Sequence, residues 1–242
     1  MSLKPNHRIE AIFNNAGALL TNGHYVYTSG RHAATYINKD AIYTNPAAVS
    51  TLCQQIVRHF YKAGVEYDVV VGPEKGGIIL AQWTAYHASR VYKDRTIAAI
   101  YAERSEQALF KASEANTSFM GMDLNLDDEV VIKRPQLVLK RGYDKLVTGR
   151  NILVVEDNLT TGGTVKKVIE TVRALRGTVV AVGTLTNGGN VKAHDIGNVP
   201  ELFSVFDIKA ESWLETECPL CVQGKPISIE AGKGREFLSH KK

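Results

Sequence analysis

Thirteen consecutive residues, Ile152-Leu-Val-Val-Glu-Asp-Asn-Leu-Thr-Thr-Gly-Gly-Thr164, carry the most chemical information in this 242-residue chain. Four apolar residues form a buried-strand type of run that ends in two adjacent carboxylates, Glu156 and Asp157. In open α/β sheets ligands bind beyond the carboxyl ends of the strands, which is where such a pair would stand. Gly162 and Gly163 let the backbone turn tightly, so that consecutive amide N–H groups can converge on one anion. A helix starting directly after them adds further N–H donors and the positive end of its dipole. Thr160, Thr161 and Thr164 supply hydroxyl donors. The result is an anion cup beside carboxylates able to accept from a diol or to face a metal. A ligand suited to both has a phosphate at one end and vicinal hydroxyls nearby, as a sugar 5-phosphate does. Neither a G-x-x-x-x-G-K-[ST] loop nor a G-x-G-x-x-G fingerprint occurs, which argues against P-loop and dinucleotide chemistry.

The elements needed to position that cup are written on either side of it. Ile9, Ile12, Phe13 and Ala16 recur at helical spacing, and the pattern predicts a first helix running through Leu19-Leu20 to the turn at Thr21-Asn22-Gly23. Residues 24–28 and 35–38 read as two short strands around Ser29-Gly30-Arg31. Asn45 followed by Pro46 is an N-cap and first helical position, and Val49, Leu52, Cys53, Ile56, Val57 and Phe60 share the face behind it. Strands are then expected at 67–71, 96–101, 151–155, 178–185 and 202–206, with helical stretches after 77 and after 164. Such alternation implies a mainly parallel sheet with helices on both faces. Residues 102–135 break the rhythm with a long polar stretch, which reads as a flap-like insertion or an irregular excursion.

Composition excludes several classes. Hydrophobic residues make up 44% and charged residues 22%, as in an ordinary globular protein. A net charge of only +4 does not supply the concentrated positive face that a nucleic-acid coat or membrane-surface protein needs. The chain shows no bilayer-length apolar run and no secretory leader, and Cys53, Cys218 and Cys221 are too few for a disulfide scaffold. A reducing cytoplasm is the expected location.

Residues 152–164 resemble the phosphoribosyl-pyrophosphate (PRPP) binding signature of type I phosphoribosyltransferases. Ser29-Gly30-Arg31 with Tyr36, the Gly72–Gly77 loop, and the Lys140-Arg-Gly-Tyr-Asp-Lys145 segment are similar to pieces of orotate phosphoribosyltransferases and their relatives. The resemblance implies the α/β fold of that family over residues 1–242 as one domain. Residues 1–40 and part of 203–242 would form a small hood. It also implies roles. Thr160, Thr161, Gly162, Gly163 and Thr164 would hold the 5-phosphate of PRPP, and Glu156 and Asp157 the ribose hydroxyls. Lys75, Gly76 and Gly77 would lie against pyrophosphate. Lys140, Arg141 and Lys145 would serve a basic lid, and Arg31 and Tyr36 the base. Mg²⁺ would be carried mainly by PRPP, with Glu156 and Asp157 as its nearest protein oxygens, and no other metal is expected. A homodimer is implied, and neither a membrane nor a nucleic acid is an expected partner.

The chain departs from the orotate pattern at the base. Thr28 stands where those enzymes usually carry a lysine, and Gly188, in Thr186-Asn-Gly-Gly-Asn190, falls where they usually place an arginine. Orotate bears a carboxylate, so two missing cations keep transfer to another, purine base open as an alternative. A PRPP-sensing regulator without catalysis is the rival from a different class. Cys218-Pro-Leu-Cys221 has metal-ligand spacing, but a structural zinc needs four ligands and no second Cys or His pair accompanies it in sequence. It reads as a turn with reduced thiols. His24, His32 and His194 fall near the presumed ligand segments, and each alone reads as a surface or packing residue.

Overall fold

The computed structural model describes residues 7–27, 29–93, 95–105, 108–111, 118–119, 122–123, 129–132, 136–207 and 211–240. Helix α1 (His7–Asn15) buries Ile9 and Phe13, four residues apart on one face. It ends earlier than helical spacing predicts. The N–H groups of Gly17 and Ala18 turn back to the carbonyls of Asn14 and Phe13, closing the helix in the manner of a glycine C-cap. The next residues instead form β1 (Leu19–Leu20). After β2 (Tyr25–Val26) and β3 (His32–Ala33), β1 pairs antiparallel with β4 (Tyr36–Ile37). Helix α2 (Lys39–Tyr43) follows directly.

Helix α3 (Pro46–Lys62) starts as its sequence dictates: Pro46 fills the first turn and Asn45 Oδ1 accepts the Ala48 N–H at 3.1 Å. Removing that acceptor leaves an amide unpaired. Asn45→Ala is therefore expected to cost about 1 kcal/mol and to lower Tm by about 2–4 °C at this chain length, measurable by calorimetry.

The central sheet uses β5 (Val69–Pro73), β6 (Ala98–Ser105), β11 (Gln136–Val138), β12 (Asn151–Asn158), β13 (Thr178–Thr186) and β14 (Leu202–Phe206) in the order β11-β6-β5-β12-β13-β14. All neighbours are parallel except the edge strand β11. Strand side chains alternate between faces, and β12 shows the consequence. Leu153 and Val155 enter one core with α1, α3 and α4 (Gly76–Val91), while Ile152 and Val154 enter a second with α6 (Gly163–Ala174). Strand β12 is apolar on both sides because both sides are covered.

The described segments within residues 102–135 pair antiparallel. Strand β6 continues to Ser105 and pairs with β11, β7 (Ala108–Lys111) pairs with β10 (Glu129–Ile132), and β8 (Ser118–Phe119) pairs with β9 (Met122–Asp123). The short helix α5 (Asp144–Val147) connects this region to β12. A separate small sheet joins the two ends of the chain: β3 lies between β2 and β15 (Ser212–Trp213), both antiparallel to it. Helices α7 (Pro219–Val222) and α8 (Gly234–Ser239) complete the tail. Among the described residues no helix is long and apolar enough to cross a membrane.

Candidate active site

Parallel pairing places three loops at one edge of the sheet. Val154 is opposite Val71, and Asn158 is opposite Thr186. The segments after β5, β12 and β13 therefore all leave from the carboxyl edge. There a cleft of about 290 Å³ is lined by Ser29, Glu156, Asn158 and residues 159–165. Thr160, Thr161, Gly163 and Thr164 are exposed to it, whereas Gly162 is buried as the N-cap of α6. Its floor is braced from β13: the Leu159 N–H donates to the Thr186 carbonyl at 2.9 Å, and Thr186 Oγ1 donates to Asn158 Oδ1 at 2.9 Å.

Glu156 and Asp157 are both buried, at 7% and 3% exposure. Asp157 accepts from Lys39 Nζ at 2.9 Å and from Tyr43 Oη at 3.3 Å. Burial alone would lower the Lys39 pKa, but the Asp157 charge and hydrogen bond, with Glu156 and Asp40 behind them, leave it raised. The Tyr43 hydroxyl is held firmly protonated, first by burial and then by the facing Asp157. Glu156 has no such cation of its own. Burial first, and the neighbouring Asp157 charge second, push its pKa up to about 8. In the ligand-free protein the site thus sets the Lys39–Asp157 ion pair beside a carboxyl group that holds its proton more tightly than usual.

This has a consequence for stability. An acid whose folded pKa lies above its ordinary 4.5 binds more protons when folded. Its contribution is full below pH 4.5 and is lost as pH rises through about 8. Glu156→Gln removes that dependence. Its Tm is expected to exceed the parent's at pH 8.5 and to fall less between pH 5 and 8.5, as read by calorimetry without ligand.

The remaining residues singled out in the sequence are dispersed around this centre. Lys75 is exposed and caps α4. Gly76 lies against Asp157 and Tyr43, since a Cβ there would stand 2.2 Å from Asp157 Oδ2 and 2.4 Å from Tyr43 Oη. Gly77 is packed against Gly72 and Pro73. Lys140 and Arg141 both face Glu103, at 3.4 and 3.2 Å. Slight desolvation of Glu103 is outweighed by these two cations, which hold its carboxyl below the usual range. Lys145 is exposed, and none of the three cations lines the cleft. Arg31 is turned to the tail, where its Nε donates to Ser212 Oγ at 2.9 Å and a second guanidinium N–H to the Ser212 carbonyl. Tyr36 packs its ring against Tyr25 and Tyr27. Thr28 lies outside the described residues, and Gly188 is open, with only Asn158 Oδ1 near a would-be Cβ at 3.6 Å. His194 is on the surface beside Asp195. Lys39 and Tyr43 were not legible in the sequence, because nothing in their spacing points to a carboxylate more than a hundred residues away.

A parallel sheet opening on two buried carboxylates and a Thr/Gly anion cup defines an α/β enzyme that handles a phosphorylated sugar. The chain belongs to the phosphoribosyltransferase family: residues 38–216 match its phosphoribosyl transferase domain. It is 34% identical to an orotate phosphoribosyltransferase of a Thermoanaerobacter species over 216 residues, 89% of this chain and 92% of that one. Among solved structures, orotate phosphoribosyltransferase from Aeropyrum pernix superposes with a TM-score of 0.55 at 20% identity, over 83% of this chain and 94% of that one. Adenine phosphoribosyltransferase from Saccharomyces cerevisiae does so with a TM-score of 0.53 at 17% identity, over 81% and 99%. Orotate and adenine enzymes thus share this fold, so the fold alone does not select the base.

Proposed function

We propose that this phosphoribosyltransferase transfers the 5-phosphoribosyl group of PRPP to orotate, giving orotidine 5-phosphate and pyrophosphate for pyrimidine biosynthesis. The carrying observation is the buried pair Glu156 and Asp157, the first of them lining the Thr160–Thr164 cup, in a chain one-third identical along most of its length to an orotate enzyme. In this reading the backbone and hydroxyls of Thr160, Thr161, Gly162, Gly163 and Thr164 hold the 5-phosphate. Asp157, fixed by Lys39 and Tyr43, and Glu156 accept from the ribose hydroxyls. Lys75, Gly76 and Gly77 lie against the pyrophosphate. A nitrogen of the base attacks C1 as the bond from C1 to pyrophosphate breaks, and the ribose ring carries positive charge in between. Catalysis is positioning and charge stabilisation, with no side-chain nucleophile.

Glu156 on the cleft and Asp157 next to it offer carboxyl oxygens, the ligand type that Mg²⁺ takes. Bound with PRPP near Glu156 and Asp157, Mg²⁺ would neutralise the leaving diphosphate. Lys140, Arg141 and Lys145 form the basic lid that excludes water, with Lys140 and Arg141 held on Glu103 while no ligand is bound. Residues 1–40 with part of 203–242 form the hood over the base, with Arg31 and Tyr36 on it. The enzyme works as a cytoplasmic homodimer.

Pyrophosphate release from PRPP and Mg²⁺ with a panel of bases tests the reading. Turnover with orotate is expected. Turnover only with a purine would replace orotate by another base, and binding of PRPP without any turnover would favour the sensing regulator. Light scattering is expected to give a dimer, and a monomer would remove any lid shared between subunits.

A further inference from the structure

The two ends of the chain meet at a second cluster, none of whose residues lines the cleft. His24 and His32, from the β2–β3 part of the small sheet, converge with Cys218 and Cys221 of the tail, and their four ligand atoms all lie within 4.8 Å of one another. His24, His32 and Cys218 are buried and Cys221 is half-buried. None of the cysteines is held in a disulfide.

We propose that these four side chains bind a structural zinc ion that clasps the hood to the C-terminal tail. The tautomer of His24 is fixed by a neighbour. Its Nδ1 lies 2.8 Å from the Lys225 carbonyl, which can only accept, so Nδ1 carries the proton and Nε2 turns a lone pair inward. A hydrogen bond of this kind from the far ring nitrogen is the usual orienting contact of a metal-bound imidazole. Around that lone pair stand His32 Nδ1 at 2.8 Å and the two sulfurs at 3.7 Å each, with Cys221 Sγ 3.4 Å from His32 Nδ1. Zinc bonds of about 2.3 Å to sulfur and about 2.0–2.1 Å to nitrogen give tetrahedron edges of roughly 3.3–3.8 Å. Three of the four nitrogen–sulfur separations already fall on such edges. The two imidazoles need to part by about half an ångström, and no separation in the cluster exceeds 4.8 Å. Two nitrogens and two thiolates suit Zn²⁺ rather than the oxygen-seeking Mg²⁺ of the cleft.

The surroundings give the clasp a purpose. Strands β2, β3 and β15 have two residues each, too little to build a core of their own. Small units of this size commonly rely on a metal or disulfide. The ligands come from segments nearly two hundred residues apart in sequence, so one ion closes a very long loop. Arg31, proposed above to face the base, adjoins His32 in sequence and bonds to Ser212 of the same small sheet.

The full-length protein, purified without chelator or affinity nickel, is expected to carry one zinc per chain by elemental mass spectrometry. One equivalent should be released when a mercurial blocks the thiols. Exchange into Co²⁺ should give the visible absorption of a tetrahedral site together with sulfur-to-cobalt charge transfer. Cys221→Ser and His32→Ala should each lower bound zinc at least tenfold after dialysis. The wild-type cobalt spectrum keeps the test decisive if either variant fails to fold. Wild-type protein lacking stoichiometric metal and unable to take up Co²⁺ would overturn the proposal. So would zinc retained undiminished by both variants. Neither result would touch the PRPP reading, which rests on other residues.

Discussion

Asp157→Asn is expected to lower kcat/KM for PRPP by about 10²–10³-fold while the protein remains folded. The exchange keeps size and shape but removes a charge at a buried position next to Glu156 of the cleft, where Asp157 is 3% exposed. Lys39 and Tyr43 fix its two oxygens, Oδ1 and Oδ2, so the carboxylate is oriented before any ligand arrives. A fixed negative charge interacts more strongly with a ribose ring that is becoming cationic than with neutral ribose, which is why the loss should fall on the transition state. The fold should tolerate the change because the Lys39 side chain is half-exposed and can turn to water. A pair with one solvated partner contributes only about 0–1 kcal/mol. Steady-state kinetics and a thermal scan on the same preparation separate the two effects. Unchanged kinetics would remove Asp157 from the reaction, and a Tm loss large enough to unfold the protein at assay temperature would make its role structural.

The cup was legible from sequence because its parts are consecutive. Strand, acids, glycines and helix start follow one another within thirteen residues, and local geometry fixes their order in space. The α3 cap and the double-sided apolar run of β12 were legible for the same reason. What escaped depends on tertiary contact. Leu19-Leu20 carries no periodicity able to separate one more helical turn from a two-residue strand, and the closure of α1 at Gly17 and Ala18 decided it. The Cys218-Pro-Leu-Cys221 turn was read as incomplete for a metal because its companions stand almost two hundred positions away. The small sheet, by pairing β3 with β15, brings His32 and the tail together. Lys39 is a third case: a lone lysine at the first position of a short helix becomes the counter-ion of Asp157 only when the fold sets α2 against the end of β12.

Gly189→Ala is expected to raise the KM for PRPP on the order of 10²-fold and to cost about 1–3 kcal/mol of stability. A Cβ at this position would lie 1.6 Å from the carbonyl oxygen of Thr160 and 2.6 Å from its carbon. These are backbone atoms, so no side-chain rotation relieves the conflict. The loop carrying Gly189 cannot easily withdraw either. Its own N–H donates to the Leu159 carbonyl at 2.9 Å, and the Asn187 amide both donates to and accepts from the Val191 backbone at 2.9 Å. The strain must therefore pass to the Thr160 peptide, the first unit of the anion cup, and turn it away from the phosphate. The adjacent glycine supplies the control. A Cβ on Gly188 meets only Asn158 Oδ1, at an ordinary 3.6 Å, so Gly188→Ala should leave both KM and Tm nearly unchanged. Equal kinetics for both variants would show that the 187–190 loop does not wall the cup. Equal damage from both would show that the loop acts through flexibility rather than through the one contact at Thr160.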